Sequence, residues 1–185
     1  MSKTATPPLG PIATPALSPS SSPVELLFSD LERELAVARR TLERYPEGKD
    51  DWRPHERSTP LGRLAVHVAT LPSFAKTVLE SEELDFTTRP WAPRKFRTGA
   101  DLVAIFDEVV AEMWTALRRA DFDALNGMWT MRMGDQVLFT GRRGALIRQM
   151  MINHIVHHRA QIGVYYRLLG VPVPSVYGPS ADEPA

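Results

Sequence analysis

Cysteine is absent from the 185-residue sequence. Its absence excludes disulfide bonds, thiolate metal ligands and a cysteine nucleophile, so any thiol chemistry needs a thiol from outside the protein. An excess of charge of either sign is absent too, because 22 lysines and arginines balance 22 aspartates and glutamates. A chain with no net charge lacks the excess positive charge that attracts nucleic acid or an anionic membrane. We therefore expect neither as a partner.

Long apolar runs are also absent. No run reaches the ~20 residues that span a bilayer, and the N-terminal segment lacks the apolar core of a signal peptide. We therefore expect a cytoplasmic protein. Residues 1–22 are rich in proline, serine, threonine and alanine, which predicts a flexible arm. Residues 23–185 are long enough for one domain with its own core.

Two helices are predicted in the first half of that domain. The first begins at the capping-box sequence Ser22-Pro23-Val24-Glu25 and ends near Tyr45, before a proline and a glycine. The second begins after Ser58-Thr59-Pro60, and Pro72 is expected to bend it near its middle. Apolar residues recur at helical spacing in both segments, which indicates that each helix has a core-facing side.

Two more helices are predicted in the second half. Thr98 caps the third, which has the strongest amphipathic pattern in the chain. Residues 128–141 alternate around Gly134, which indicates a short hairpin or an extended crossover. The fourth helix extends from Arg142 to Leu169 and ends at Gly170. Together these segments predict an all-α four-helix bundle with a long crossover between helices 3 and 4.

Three of the five histidines fall on apolar sides of these helices. On a helical wheel at about 100° per residue, His154 and His158 lie in the middle of the predicted buried stripe of the last helix. His67 lies on the flank of the stripe of the second helix. His55, in a loop, and His157, to one side of the stripe, are weaker candidates, and we expect His157 to be exposed.

Two imidazoles one helical turn apart can chelate one divalent ion at about 2.0–2.1 Å, and a third can come from another helix. His67, His154 and His158 would leave one or more positions open for water or substrate, as in catalytic sites. Alternatively, each could be a core histidine that is hydrogen-bonded to a carboxylate or carbonyl. Three histidines on two apolar stripes favour the metal.

Other residues are weaker candidates for this site. Gln161, one turn beyond the histidine pair, can orient a ligand or a histidine nitrogen, and Tyr165 lies one turn further. For both, packing or a core hydrogen bond is the expected role. The four tryptophans could line a pocket at the open end of the bundle: Trp52, Trp91, Trp114 and Trp129. Such a role fits Trp52 and Trp91 better, because they lie in loops, whereas Trp114 lies on a core-facing stripe.

Arginines near the last helix provide a weaker indication of nucleic-acid binding. Arg142, Arg143 and Arg148 cluster at its start, but the zero net charge favours a solvated face. Arg159 and Arg167 are expected to point away from the core. The sequence also contains no zinc-protease HExxH motif, no Glu-x-x-His pair of a di-iron bundle, and no P-loop, GxGxxG or GxSxG motif.

Two segments resemble a known family. The sequence LGRLAVHVATLP, with one histidine after a Leu-Gly start, resembles the second helix of the DinB-like family. The sequence NHIVHHRAQIGVYYRLLG and the following P–YG tail resemble its fourth helix and C-terminal segment. The resemblance extends over residues 24–183, and the long Pro/Ser-rich arm departs from it.

The resemblance implies a four-helix bundle of up-down-down-up type that is often a homodimer. It also implies that His67, His154 and His158 bind a divalent metal ion such as nickel, zinc or iron. Characterised relatives include transferases that use low-molecular-weight thiols and a thiol-dependent isomerase. We therefore expect a metal-dependent thiol transferase or hydrolase that acts on a small electrophilic molecule. The alternative is a non-catalytic, damage-inducible bundle that the metal stabilises and that binds a partner.

Overall fold

The computed structural model describes residues 21–89 and 92–184. Residues 1–20 of the predicted arm and Trp91 lie outside the described residues. Within the described part of the chain, no helix is both long and apolar enough to cross a membrane.

The first predicted helix is divided into α1 (Pro23–Leu27) and α2 (Leu31–Glu43). The break lies at Asp30, whose carboxylate accepts two hydrogen bonds, of 2.8 and 2.9 Å, from the guanidinium of Arg148. Arg148 also donates to the carbonyl of Leu27, the last residue of α1. The arginine therefore stabilises both sides of the break, and it comes from a part of the chain that local periodicity does not reveal.

The second predicted helix is divided into α3 (Leu61–Thr70) and α4 (Ser73–Glu80). Pro72 lies at the break, as expected, because proline has no N–H to continue the helical hydrogen-bond ladder. The ladder restarts where the amide of Phe74 donates to the carbonyl of Leu71 at 3.0 Å.

The helix caps predicted at Ser22 and Thr98 are confirmed. Ser22 and Glu25 form a capping box at α1. Thr98 and Asp101 form a second one at the start of α5 (Gly99–Leu117). In each, the hydroxyl accepts from a backbone amide and the carboxylate accepts from the cap residue.

The prediction of an all-α fold is confirmed only in part, because the structure is rich in helix but also contains a three-stranded sheet. Strand β1 (Glu83–Asp85) pairs in parallel with β2 (Met128–Met133), which pairs antiparallel with β3 (Gln136–Arg142). Strands β2 and β3 form the expected hairpin, and Gly134 adopts a positive φ of 56° in its turn. Strand β1 is too short to give an alternating pattern, and its partner follows only after α5 and the short α6 (Phe122–Asn126).

The last predicted helix consists of three helical segments. They are α7 (Arg143–Ile147), a π-helical segment (Arg148–Asn153) and α8 (His154–Leu169). Gly170 ends α8 in the left-handed conformation at φ 71°, as predicted for a glycine at this position.

The core lies where the long helices pack together. Helix α2 contacts α3, α5 and α8, and α3 also contacts α5 and α8. Helix α4 packs on α5 and α7. The fully buried side chains in this core include Leu42, Leu64, Phe106, Ile147 and Tyr166.

Two expectations for α8 are wrong. Arg159 is buried rather than turned away, with 4% of its surface exposed, and it forms an ion pair with Glu34. Leu168 lies within about 60° of His154 on the helical wheel, which predicts it to be on the buried stripe, but it is 61% exposed. The buried side of α8 is centred on Ile155, Ile162 and Tyr166, because α2 and α3 both pack against it. Arg167 is exposed, as predicted.

The arginines at the start of the last helical region do not form a solvated face. Arg143 is buried and donates to the carbonyls of Val78 and Ser81, at the end of α4. Arg148 is bound to Asp30, and Arg142 donates to a backbone carbonyl at the end of α6. These side chains connect neighbouring elements of the fold.

Candidate metal centre

Three histidines converge between α3 and α8. One ring nitrogen from each of His67, His154 and His158 lies within 4.8 Å of the other two. The ring of His67 is centred 5.0 Å from that of His154 and 4.9 Å from that of His158. The structure therefore brings together the three histidines predicted as ligands, close enough to bind one metal ion.

The outward nitrogens of the α8 pair have hydrogen-bond acceptors. Nδ1 of His158 lies 2.7 Å from Oε1 of Gln161, and Nδ1 of His154 lies 3.3 Å from the carbonyl oxygen of Met150. Because both partners are acceptors, each Nδ1 carries the proton and each Nε2 carries a lone pair. This is the tautomer that binds a metal through Nε2.

The two Nε2 atoms face each other at a distance of 2.7 Å. Two lone pairs that converge this closely repel unless a proton or a metal cation lies at the point of convergence. An all-nitrogen donor set of three imidazoles suits zinc, nickel or iron rather than calcium or magnesium, which prefer oxygen. The residues present therefore fit the divalent ion that the sequence implies, although they do not distinguish among these metals.

All three histidines are held in the neutral form. Burial, followed by the neighbouring charges of His158 and His154, lowers the pKa of His67 to about 4. Burial also lowers the pKa of His154 and of His158 below the ordinary value of 6.5. Neutral imidazole is the form that binds metals, so the site is ready to bind an ion at neutral pH.

The histidines lie at the edge of the core rather than in its middle. His154 and His158 are half-buried, whereas Ile155 on the same helix is 1% exposed. The expectation that the pair lies in the middle of the buried stripe is therefore wrong. His67 is half-buried on the flank of α3, as predicted. This position lets a metal ion contact both the protein and a molecule from solvent.

A cleft of about 410 Å³ opens beside the histidines. His67 and His154 form part of its wall. Apolar side chains from α4, α5, the sheet, the segment after β1 and the π-helical segment also line it, and they include Phe74, Leu84, Phe86, Val109, Met131 and Met150. A cleft of this volume and apolar character is typical of small-molecule sites.

Other sequence candidates lie elsewhere. Tyr165 is buried, donates its hydroxyl to the carbonyl of Thr59 and packs edge-on against Trp52, which matches the expected core role. His55 and His157 are exposed, and neither belongs to the cluster within the described residues, although the ring of His157 packs edge-on against that of His158 with the ring centres 4.9 Å apart. Among the described residues, the cleft wall contains none of the tryptophans.

Sequence reasoning missed two kinds of residue at this site. The carbonyl of Met150 orients His154, but a backbone acceptor leaves no signal in a sequence. Phe86 and Arg89 reach the cleft from the segment after β1, whose place in the fold depends on the unpredicted pairing of β1 with β2. The aromatic side chains within residues 85–97 are the one signal in the sequence that this segment could contribute to a binding site.

The solved structures that resemble this fold include two DinB-like proteins. The crystal structure of the DinB-like protein YjoA from Bacillus subtilis matches 82% of this chain and 97% of its own, with a TM-score of 0.64 and 18% identity. A DinB-like protein from Bacillus cereus ATCC 10987 matches 83% of this chain and 97% of its own, with a TM-score of 0.63 and 19% identity. These likenesses support the fold alone.

Sequence comparison points to the same family. The uncharacterized protein YrdA of Bacillus subtilis (strain 168) is 31% identical over 80 residues, which are 41% of this chain and 47% of YrdA. The aligned part thus spans about half the length of that relative. The model of the DinB family matches residues 21–185, most of the sequence. The chain therefore belongs to the DinB family.

Proposed function

We propose that the protein binds one divalent metal ion through His67, His154 and His158 and uses it as a thiol transferase or hydrolase acting on a small electrophilic molecule. The observation that carries this proposal is the convergence of three neutral imidazoles, two of which, His67 and His154, also form part of the wall of a cleft of about 410 Å³. A closed structural zinc site has four protein ligands, whereas three leave room for a further ligand.

The protein's own residues supply binding and orientation. Gln161 and the carbonyl of Met150 hold the two α8 imidazoles in the ligating tautomer. The apolar wall of the cleft removes water from around a bound substrate, which strengthens electrostatic interactions near the site. A divalent ion supplies Lewis-acid activation there, lowering the pKa of a bound thiol or water. Because the chain has no cysteine, the thiol would be an external low-molecular-weight one.

The proposal includes the assembly implied by the family resemblance. We propose that α1–α2, α3–α4, α5 and α7–α8 form a four-helix bundle of up-down-down-up type, and that residues 23–185 act as one domain in a homodimer. Light scattering of the purified protein, combined with size-exclusion chromatography, measures the oligomeric state directly.

Metal content is the first test of the proposed function. The protein is purified without a histidine tag, and elemental mass spectrometry is applied to the parent, His67→Ala and His157→Ala. We expect about one equivalent of metal in the parent and in His157→Ala, whose imidazole is exposed. We expect His67→Ala to lose the metal. Circular dichroism shows whether each variant remains folded.

Activity is then measured as conjugation of thiols to a chromogenic aryl halide, and as hydrolysis of activated esters. Loss of either activity in folded His158→Ala, with retention in His157→Ala, supports a metal-dependent enzyme. Absence of metal in the parent, even after incubation with nickel, zinc or iron, contradicts the proposal. The three histidines would then be core polar groups in a protein that binds a partner without catalysis.

A further inference from the structure

The cleft beside the histidines combines an apolar wall with positive charge. Phe74, Phe86 and Met131 contribute apolar surface, and the guanidinium-bearing side chains of Arg89 and Arg94 also line it. Within the described part of the chain, the lining contains no aspartate or glutamate. A ligand that fits this cleft therefore has an apolar body and a group that attracts a cation.

The two arginines differ in their surroundings. Arg94 donates to the carboxylate of Glu108 at 2.8 Å, so its charge already has a partner. Arg89 is exposed and forms no ion pair with any residue of ranges 21–89 and 92–184. Its guanidinium can therefore form new charge-assisted hydrogen bonds with a ligand without first losing an existing ion pair.

The backbone that carries Arg89 is held in place by a network around Asp85. The amide of Arg89 donates to the carbonyl of Asp85 at 2.9 Å, which closes the turn after β1. The carboxylate of Asp85 accepts from the amide and hydroxyl of Thr87 and from the amide of Gly134 in the β2–β3 turn, all within 3.0 Å. The turn is thus bound to the sheet, which positions Arg89 at the cleft before any ligand arrives.

We propose that the cleft selects a small apolar molecule that carries an oxyanion such as a carboxylate, and that the guanidinium of Arg89 binds this group. This inference rests on the proposed function for the role of the cleft and specifies the class of its electrophilic substrate. A planar guanidinium donates two parallel N–H bonds to a carboxylate, so it fixes the orientation of the molecule as well as its position. The apolar body of the ligand then lies against Phe74 and Phe86, beside His67 and His154.

A pair of fluorescent probes tests the proposal. 8-Anilinonaphthalene-1-sulfonate is an apolar anion, and N-phenyl-1-naphthylamine is its neutral counterpart. Their affinities are measured by fluorescence titration with the purified protein, Arg89→Gln and the exposed control Arg119→Gln. Thr77→Trp, which places a large side chain in the cleft wall, reports how much of the binding occurs in the cleft. Metal content is measured on the same samples.

We expect Arg89→Gln to weaken binding of the anionic probe about tenfold, as the loss of a charge-assisted contact predicts. The same variant should leave the affinity for the neutral probe unchanged. Arg119→Gln should leave the affinities for both probes unchanged, and Thr77→Trp should lower both. Equal effects of Arg89→Gln on the two probes, or unaltered binding in Thr77→Trp, would overturn the proposal. The titrations are repeated on chelator-treated protein, so that the effect of Arg89→Gln on the ratio of the two affinities is measured without any contribution from a bound metal. A metal-free protein with the expected ratio then contradicts only the enzymatic function.

Discussion

The amide oxygen of Gln161 lies 2.7 Å from Nδ1 of His158, on the side of the imidazole that faces away from the histidine cluster. This contact sets the proton on Nδ1 and leaves the lone pair of Nε2 directed at His154. One helical turn thus supplies both a candidate ligand and the group that orients it, and this relationship predicts how the metal affinity responds to changes at Gln161.

We expect Gln161→Leu to reduce metal affinity about tenfold or more, because His158 loses the acceptor that fixes its tautomer and ring orientation. Gln161→Glu keeps an acceptor and adds negative charge, so it should retain or increase the affinity. Competition with a chelator of known affinity measures both, and ¹⁵N NMR of the imidazole reports the tautomer. Equal affinities of the Leu and Glu variants would show that Gln161 does not position His158.

The metal-free protein should lose stability as the pH falls from about 6.5 toward 4. His67 has a pKa of about 4 in the folded protein because burial disfavours its charged form, against an ordinary value of 6.5. Between these values the unfolded chain binds a proton that the folded chain does not, so the free energy of unfolding decreases with decreasing pH. Above about 6.5 this contribution is absent. His154 and His158, whose pKa values are also lowered, act in the same direction.

Urea unfolding of chelator-treated protein near neutral pH and at about pH 5 measures this loss. His67→Gln removes one buried imidazole and should reduce the difference between the two conditions. His55→Gln is the control, because it removes an exposed imidazole that lies outside the histidine cluster. If the difference in unfolding free energy between the two pH values persists unchanged in His67→Gln, the loss of stability does not come from the lowered pKa of His67.

The candidate site was predictable from the sequence because its main signal is local. An i, i+4 spacing places His154 and His158 on one side of any helix, and the Leu-Gly start of the second predicted helix marks His67 by its resemblance to the DinB-like family. Gly170 and both capping boxes were predictable for the same reason, since each depends on residues within a few positions of one another.

The features that the sequence did not predict depend on distant residues. The break between α1 and α2 is stabilised by Arg148, which is 118 positions from Asp30. The pairing of β1 with β2 joins segments on either side of α5. The sequence pattern of each strand does not specify which strand it pairs with. The buried face of α8 was misplaced because hydrophobicity ranks an arginine as exposed, whereas Arg159 is buried with a partner.

Gly170 should be sensitive to substitution for conformational rather than steric reasons. Its φ of 71° is in the left-handed region, yet a Cβ added there would have no atom within 4 Å. We therefore expect Gly170→Ala to lower the free energy of unfolding by about 1 kcal/mol through backbone strain alone. Gly170→Asn should cost less, because asparagine tolerates this conformation. Thermal denaturation compares the two, and an equal loss in both would contradict strain as the cause.

The buried ion pair between Arg159 and Glu34 predicts a strongly non-additive mutant cycle. Their charged groups lie 2.7 Å apart, both side chains are nearly inaccessible to solvent, and the hydroxyl of Tyr177 donates to Glu34 at 2.9 Å. Removing one partner leaves the other charge buried and unpaired, so Arg159→Met and Glu34→Gln should each cost about 3–5 kcal/mol.

The double variant should be much less destabilised than the sum of the two single variants, because it leaves no unpaired charge in the core. Arg167→Met is the matched control, since its ion pair with Asp182 lies at the surface and should contribute less than about 1 kcal/mol. Urea unfolding of the four proteins of the cycle gives the coupling energy between Arg159 and Glu34. If the effects of the two single variants on the free energy of unfolding simply add in the double variant, solvent reaches these charges in solution. The segment around Tyr177 would then not shield the ion pair from water.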